Sequence, residues 1–206
     1  MARVLIGTSG WHYESLRGPF YPKGLPIKSQ LQYYASQFET AELNGVFYRT
    51  PTEAAVQGWT QQTGGDFVFT WKASKFITHW KRLSPNSVNS IELLESRLSL
   101  LGDKAGPVLF QLPPNFQSDL ERLASFLKLL PAKRRYSFEF RHPSWYSAPI
   151  IRLLAKEKSR FVSRITTMRP RPGNAPLTLS TFADTARTAD IKGIIRRPRL
   201  RFGRNA

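Results

Sequence analysis

The chain has 206 residues, of which 41% are hydrophobic and 13% aromatic, and this is enough apolar material for one sizeable core. Its formal net charge is +17, and it contains no cysteine, which excludes disulfides, thiolate metal sites and cysteine nucleophiles. No apolar run approaches the roughly 18 residues of a membrane span, and the first run is too short for a signal peptide. We therefore expect a soluble, cytoplasmic protein with no membrane partner.

Short apolar runs alternate with helical patterns up to about residue 157. Runs rich in β-forming residues predict strands at residues 4–7, 40–43, 67–71, 108–111 and 136–140. Apolar residues at helical spacing predict helices after Thr52 and at residues 24–38, 91–101, 118–130 and 147–157. Thr52 can cap the helix that follows it, and Ser118 with Glu121 has the spacing of a capping box.

This alternation predicts a parallel α/β sheet, because parallel strands need crossover connections of about this length. No Gly-x-Gly-x-x-Gly turn follows the first strand, as a dinucleotide-binding sheet would usually show, so a barrel is favoured. A complete barrel has about eight strand–helix units in around 250 residues. The predicted fold class is therefore α/β: an incomplete TIM-type parallel β/α barrel of about five βα units, with an irregular basic C-terminal tail. Unpaired strand edges and an open apolar interior would then favour aggregation.

Residues 158–206 differ in composition from the residues before them. They hold 12 Lys and Arg against 2 Asp and Glu, whereas residues 1–157 hold 19 against 12. Prolines punctuate this segment and no helical or strand period is sustained, which is typical of a disordered tail. We expect a partial barrel at residues 1–157 and a disordered tail at residues 158–206. Such a tail could bind nucleic acid without sequence preference.

Five ordered blocks over about 155 residues carry a resemblance to a known family. They are Gly7-Thr8-Ser9-Gly10-Trp11 with Phe20-Tyr21-Pro22; Glu42-Leu43-Asn44 with Phe47-Tyr48; Phe69 with Lys72, Ile77-Thr78-His79 and Arg82-Leu83; Gly106-Pro107 with Gln111-Leu112-Pro113-Pro114; and Phe138-Glu139-Phe140-Arg141-His142 with Ser144-Trp145. In these blocks the sequence resembles the YecE-like family, barrel proteins also called domain of unknown function 72. The resemblance implies the barrel fold and leaves the reaction and any cofactor unknown.

The last fifty residues depart from that resemblance. The family's later strands, which include a Tyr-x-Arg-x-His-Gly stretch, are absent in this reading frame. Back-translating residues 177–186 and reading from the third nucleotide permits Asp-Phe-Val-Tyr-Val-Arg-Gly-His-Gly, and residues 163–171 and 190–196 permit further family-like stretches in the same frame. We therefore expect a C-terminally truncated or frameshifted member of the family, with the shift near residue 157.

Polar residues fall where a barrel would place its functional site, at the C-terminal strand ends and the loops that follow them. The residues at predicted strand ends are Glu42, Asn44, Lys72, Gln111, Glu139, Arg141 and His142. Trp11 and His79 fall on adjoining loops. We expect Trp11, Asn44 and Gln111 to contact a bound ligand together with His79.

Side-chain chemistry suggests a role for each charged candidate. Lys72 and Arg141 would hold a phosphate or carboxylate, Glu42 or Glu139 would take a proton, and His142 would shuttle it. The alternative for Glu139 and Arg141 is a structural ion pair that locks the strand end, and the sequence does not decide between the two.

No metal site is predicted, because His12, His79 and His142 lack tight ligand spacing and zinc needs three or four converging ligands. We expect full-length relatives to bind or transform a small anionic ligand at the strand ends, and this chain to be inactive. Whether the family is enzymatic stays open. The alternative is a non-catalytic protein that binds nucleic acid or another polyanion through its basic charge.

Overall fold

A computed structural model describes residues 4–156, 161–163 and 179–183 of the chain. The strands in these ranges are β1 (Val4–Ser9), β2 (Thr40–Leu43), β3 (Val68–Lys72), β4 (Ala105–Gln111), β5 (Tyr136–Glu139), β6 (Phe161–Ser163) and β7 (Leu179–Ala183). The α-helices are α1 (Gln30–Gln37), α2 (Glu53–Gln61), α3 (Val88–Ser99), α4 (Leu120–Leu129) and α5 (Ala148–Lys156).

The described strands form one sheet in the order β6-β5-β4-β3-β2-β1-β7. Neighbouring strands from β1 to β6 pair in parallel, while β7 pairs antiparallel with β1. A helix separates each consecutive pair of parallel strands from β1 to β6. This curled sheet confirms the predicted incomplete parallel β/α barrel.

One face of the sheet is apolar and packs against the helices. Phe110 on β4 meets Phe126 of α4 edge to face, with ring centroids 5.2 Å apart. Phe69 and Trp71 on β3 point to the same side and are almost completely buried. Residues alternate between faces along a strand, so this outer face takes every second side chain.

The other, inner face is largely polar rather than apolar. Pairing in register places the following buried side chains on it: Thr40, Glu42, Thr70, Leu109, Gln111, Ser137 and Glu139. The expectation of an apolar barrel interior is therefore wrong for the described strands. Short hydrophobic runs do not distinguish a strand buried on both faces from one whose second face carries buried polar groups.

Two glycines allow neighbouring strands to approach closely. A Cβ atom built on Gly7 of β1 would lie 1.9 Å from the carbonyl oxygen of Thr40 on β2. A Cβ atom on Gly106 of β4 would lie 2.6 Å from Val68 Cγ1 on β3. Only glycine fits at these positions without moving the adjacent strand.

The observed helix caps agree only in part with those predicted from the sequence. Thr52 caps α2 as predicted, with its side chain accepting from the Ala55 amide at 3.2 Å. The capping box of Ser118 is wrong, because the Asp119 carboxylate accepts from the Arg122 amide at 2.9 Å and is the true cap of α4. A carboxylate accepts hydrogen bonds more strongly than a hydroxyl, which favours Asp119.

The first helix is shorter than its pattern. A 3₁₀ turn at Ile27–Ser29 precedes α1, so the α-helix begins six residues after the predicted start at residue 24. Pro26 stands immediately before this turn in extended conformation. Proline disfavours helical conformation of the residue before it, here Leu25, and Pro26 is itself extended, which accounts for the late start.

Two short strands, β6 and β7, lie within the segment 158–206 that the sequence indicates as irregular. The other residues of that segment lie outside the described ranges, and so do all 12 of its Lys and Arg residues. The unit boundary near residue 157 and the frameshift stay predictions.

Candidate functional site

The carboxyl edge of the sheet, meaning the C-terminal ends of β1 to β5 with the loops that follow, collects the predicted strand-end residues. Gln111 pairs in register with Glu139, and Lys72 pairs with Leu109 two residues before Gln111. Glu42 lies next to Thr70 on the neighbouring strand. Parallel strands bring their carboxyl ends to one edge, and so these side chains share one edge and one face.

Gln111 and Glu139 form a buried pair at this edge. Gln111 Nε2 lies 2.9 Å from each oxygen of the Glu139 carboxylate, and Glu139 is only 2% exposed. Arg141 Nε donates to the same carboxylate at 3.1 Å, while the Arg141 side chain remains 36% exposed. A buried carboxylate needs such partners. The guanidinium nevertheless reaches solvent and could meet a ligand there.

Glu42 is the second buried carboxylate of the carboxyl edge. Ser9 Oγ donates to Glu42 Oε1 at 2.7 Å, which ties the end of β1 to the end of β2. Three strand spacings separate Glu42 from Glu139, or about 14 Å along the sheet. At that separation along the sheet, Glu42 and Glu139 are too far apart to act as an acid–base dyad in direct contact.

Lys72 extends from the end of β3 towards the loop after β2. Its Nζ donates to Asn44 Oδ1 at 3.2 Å and lies 4.9 Å from the centre of the Phe47 ring. The Phe47 ring also meets the imidazole of His79 edge to face, with centroids 5.2 Å apart. Lys72 and His79 therefore both contact the aromatic ring of Phe47.

His79 lies on a π-helical turn, Phe76–Trp80, that follows β3. Burial lowers the pKa of His79 below its usual value, and nearby positive charges lower it further. The cations that contribute are Lys75, Arg141, Lys72 and Arg82. Four cations therefore lie close enough to this imidazole to disfavour its protonated form.

The tautomer of the neutral His79 ring follows from its hydrogen bond with Thr78. Its Nδ1 lies 2.9 Å from Thr78 Oγ1, and that hydroxyl donates to the Ser74 carbonyl at 3.0 Å. The single hydroxyl proton is therefore used, so Nδ1 of the neutral ring is the donor to Thr78. Nε2 is left as the nitrogen that takes up a proton.

Two consecutive residues after this turn have left-handed backbone conformation. Arg82 has φ 47° and Leu83 has φ 57°, and Leu83 is fully buried. Non-glycine residues in this region cost about 1–3 kcal/mol each and cluster at functional sites. The Arg82 guanidinium lies 5.6 Å from the centre of the Phe116 ring, which directs it back over the carboxyl edge. No sequence signal indicated this strain.

Replacing Arg82 with glycine is expected to leave the free energy of unfolding unchanged or to raise it by up to about 1 kcal/mol, because glycine adopts positive φ without strain. Lys81→Gly is the matched control, since Lys81 has φ −76° and gains nothing from glycine. That control should lose about 0.5–1 kcal/mol. Urea denaturation would measure both, and equal losses in the two variants would contradict the strain.

His142 and Trp11 lie at opposite sides of the carboxyl edge. His142 Nδ1 lies 2.8 Å from Ser144 Oγ and accepts from the Ser144 amide at 3.2 Å, so it caps the 3₁₀ turn Pro143–Trp145. A proton shuttle through this ring would have to use Nε2. Trp11 instead follows β1 and meets Trp59 edge to face, with centroids 6.0 Å apart.

Within the described ranges, no three His, Asp or Glu side chains come together in a way that could hold a metal ion. None of the helices in those ranges combines the length and apolar character needed to cross a bilayer.

Comparison with known proteins identifies relatives of the chain. YecE of Escherichia coli K12 is 33% identical over 146 residues, covering 70% of this chain and 50% of YecE. YunF of Bacillus subtilis 168 is 29% identical over 154 residues, covering 71% of this chain and 53% of YunF. The chain thus spans about half the length of these curated relatives.

The fold likeness extends to a solved structure. The crystal structure of a DUF72 family protein from Thermotoga maritima superposes with a TM-score of 0.65 at 27% identity, covering 75% of this chain and 62% of that protein. The family model described as "Protein of unknown function DUF72" matches residues 5–196. Together these matches confirm the resemblance carried by the five sequence blocks, and the chain belongs to the DUF72 family.

Proposed function

We propose that the chain binds a small anionic ligand, bearing a phosphate or carboxylate group, at the carboxyl edge of its sheet. The observation that carries the proposal is the convergence of basic side chains from β3, its following turn and the end of β5 around one partly buried imidazole. Clustered cations in a partly desolvated setting favour an anion more than they would in water.

The nearby acidic groups neutralise this cluster only in part. Four cations act on His79, namely Lys75, Arg141, Lys72 and Arg82, whereas the buried carboxylates of the same edge are Glu42 and Glu139. Glu139 is paired with Arg141, and Glu42 accepts a hydrogen bond from Ser9, so two carboxylates stand against four cations. A bound anion would complete the charge balance.

The inner face of the sheet offers further polar contacts. Within the described part of the chain, the buried hydroxyls of Thr70 and Ser137 have no hydrogen-bond partner. Buried polar groups are normally paired, so unpaired hydroxyls beside a polar edge support a polar guest. Thr70 adjoins Glu42, one of the proposed proton acceptors.

Any chemistry on the ligand is proposed for relatives of full length. There, Lys72 and Arg141 would hold the anionic group, Glu42 or Glu139 would accept a proton, and His142 would move it through Nε2. For this chain we propose binding without turnover. The alternative of nucleic-acid binding through the basic tail stays a prediction, since all of the tail's Lys and Arg residues lie outside the described residues.

Binding of inorganic sulfate to the full chain, followed by isothermal titration calorimetry at low ionic strength, tests the proposal. Affinity should rise as pH falls through and below about 6.5, because a bound anion favours protonated His79 while the unliganded cluster disfavours it. The gain is at most about tenfold per pH unit, since one proton is taken up. Sulfate keeps its charge over this range, and so the protein alone causes the change.

His79→Ala should flatten this pH profile while retaining binding at neutral pH, where the imidazole is already uncharged. No measurable sulfate binding by the wild-type chain would refute the anion site. If the pH dependence of sulfate affinity persists in His79→Ala, a group other than His79 must be titrating.

A further inference from the structure

A cavity of about 400 Å³ opens beside the carboxyl edge, between the loops that follow β1 and β2. Its aromatic and apolar walls are Trp11, Tyr13, Leu43, Val46, Tyr48 and Trp59. It has ample room for a planar ring, since an apolar cavity of about 150 Å³ already holds benzene.

The cavity walls are arranged to contact a flat group. Trp11 packs edge to face on Trp59 and lies 6.2 Å from Phe69 of β3, which fixes the orientation of both indoles. Both tryptophans are only partly buried, so their ring surfaces reach the cavity. Tyr48 at the rim is 74% exposed. Partly exposed aromatic walls of this kind favour an aromatic guest by stacking or edge contacts.

Asn44 joins this cavity to the anion site. It lines the cavity, and its Oδ1 accepts from Lys72 Nζ at 3.2 Å. An acidic group held by Lys72 would therefore lie directly beside the cavity entrance. Asn44 Nδ2 also lies 3.5 Å from the Tyr13 hydroxyl, so the same amide contacts both halves of the combined site.

Resting on the proposed anion site, we propose that the ligand is an amphiphilic anion with a planar apolar ring for this cavity and a phosphate or carboxylate group for Lys72. A pocket of this kind, apolar with a few convergent polar groups, is typical of small-molecule sites. The ring supplies affinity through burial, and the acidic group supplies orientation.

The test compares inorganic phosphate, phenyl phosphate and phenol by calorimetry on the full chain at pH 8, where both phosphates are dianions. Phenyl phosphate should bind about tenfold or more tightly than inorganic phosphate, because its ring leaves water. Trp59→Leu should remove most of that gain and leave inorganic phosphate affinity unchanged. Trp80→Leu is the matched control, because Trp80 is 69% exposed and does not line the cavity.

The outcomes separate the two proposals. Equal binding of phenyl phosphate and inorganic phosphate would overturn the ring site and leave the anion site standing. Phenol binding as tightly as phenyl phosphate would overturn the combined site and count against the anion site as well. Should Trp59→Leu fail to fold, Tyr48→Ala at the exposed rim replaces it, and an undiminished preference for phenyl phosphate in that variant would overturn the ring site.

Discussion

Replacing Gly7 with alanine is expected to lower the free energy of unfolding by about 3 kcal/mol, the upper end of what overpacking usually costs. The new methyl group would lie 1.9 Å from the Thr40 carbonyl oxygen, a backbone atom that cannot turn aside. β1 must then separate from β2, which also breaks the hydrogen bond from Ser9 to Glu42 at the carboxyl edge. Domains are stable by only about 5–15 kcal/mol, so this is a large share of the total.

Gly65→Ala provides the matched control, since a Cβ atom there has no neighbour within 4 Å. It should change the free energy of unfolding by less than about 0.5 kcal/mol. Urea denaturation monitored by circular dichroism measures both variants. Similar midpoints for Gly7→Ala and Gly65→Ala would show that β1 and β2 are not in the close contact described.

Replacing Lys72 with methionine is expected to weaken binding of inorganic phosphate by about 10- to 100-fold. A hydrogen bond involving a charged group contributes about 1.5–3 kcal/mol, and methionine keeps the apolar stem of the side chain while removing the ammonium group. The contacts of the ammonium group with the Phe47 ring and Asn44 are lost too, so a thermal melt of the variant checks that it stays folded. Calorimetric titration with phosphate gives the affinity.

Lys133→Met removes the same charge at the opposite end of the sheet. Lys133 lies between α4 and the start of β5, where its Nζ pairs with Glu95 at 2.8 Å, and its side chain is 63% exposed. It should reduce phosphate affinity by less than about twofold, because solvent screens a distant surface charge. Equal losses in both variants would mean that phosphate responds to net charge and not to the carboxyl edge.

Strands β1 to β5 were predictable because each is a compact run of β-forming residues between turn signals, whereas β6 and β7 lie in the segment expected to be irregular. The run at residues 67–71 became β3 at Val68–Lys72, and the run at residues 40–43 became β2 without change. The polar character of the inner face was harder to predict from the sequence. Glu42 and Gln111 read as strand ends in the sequence, but the buried polar layer formed with Thr70 and Ser137 depends on register between distant segments.

The candidate site was partly predictable for a similar reason. A parallel sheet sends its strand ends to one edge, so residues such as Lys72 and Glu139 could be placed together from chain order alone. The contribution of Lys75 and the left-handed conformation at Arg82 and Leu83 could not. Positive φ at arginine and leucine runs against residue preference and arises only from the packing of the surrounding turn.

The position of β7 bears on how the molecule meets other copies of itself. Because β7 lies against β1 and β6 lies against β5, every strand from β1 to β5 has a neighbour on both sides. The borders of the described sheet are strands of only three and five residues. The three-residue border strand β6 offers few free backbone groups for another chain to pair with, so pairing of a second molecule along β6 is disfavoured even though the described strands do not close a cylinder.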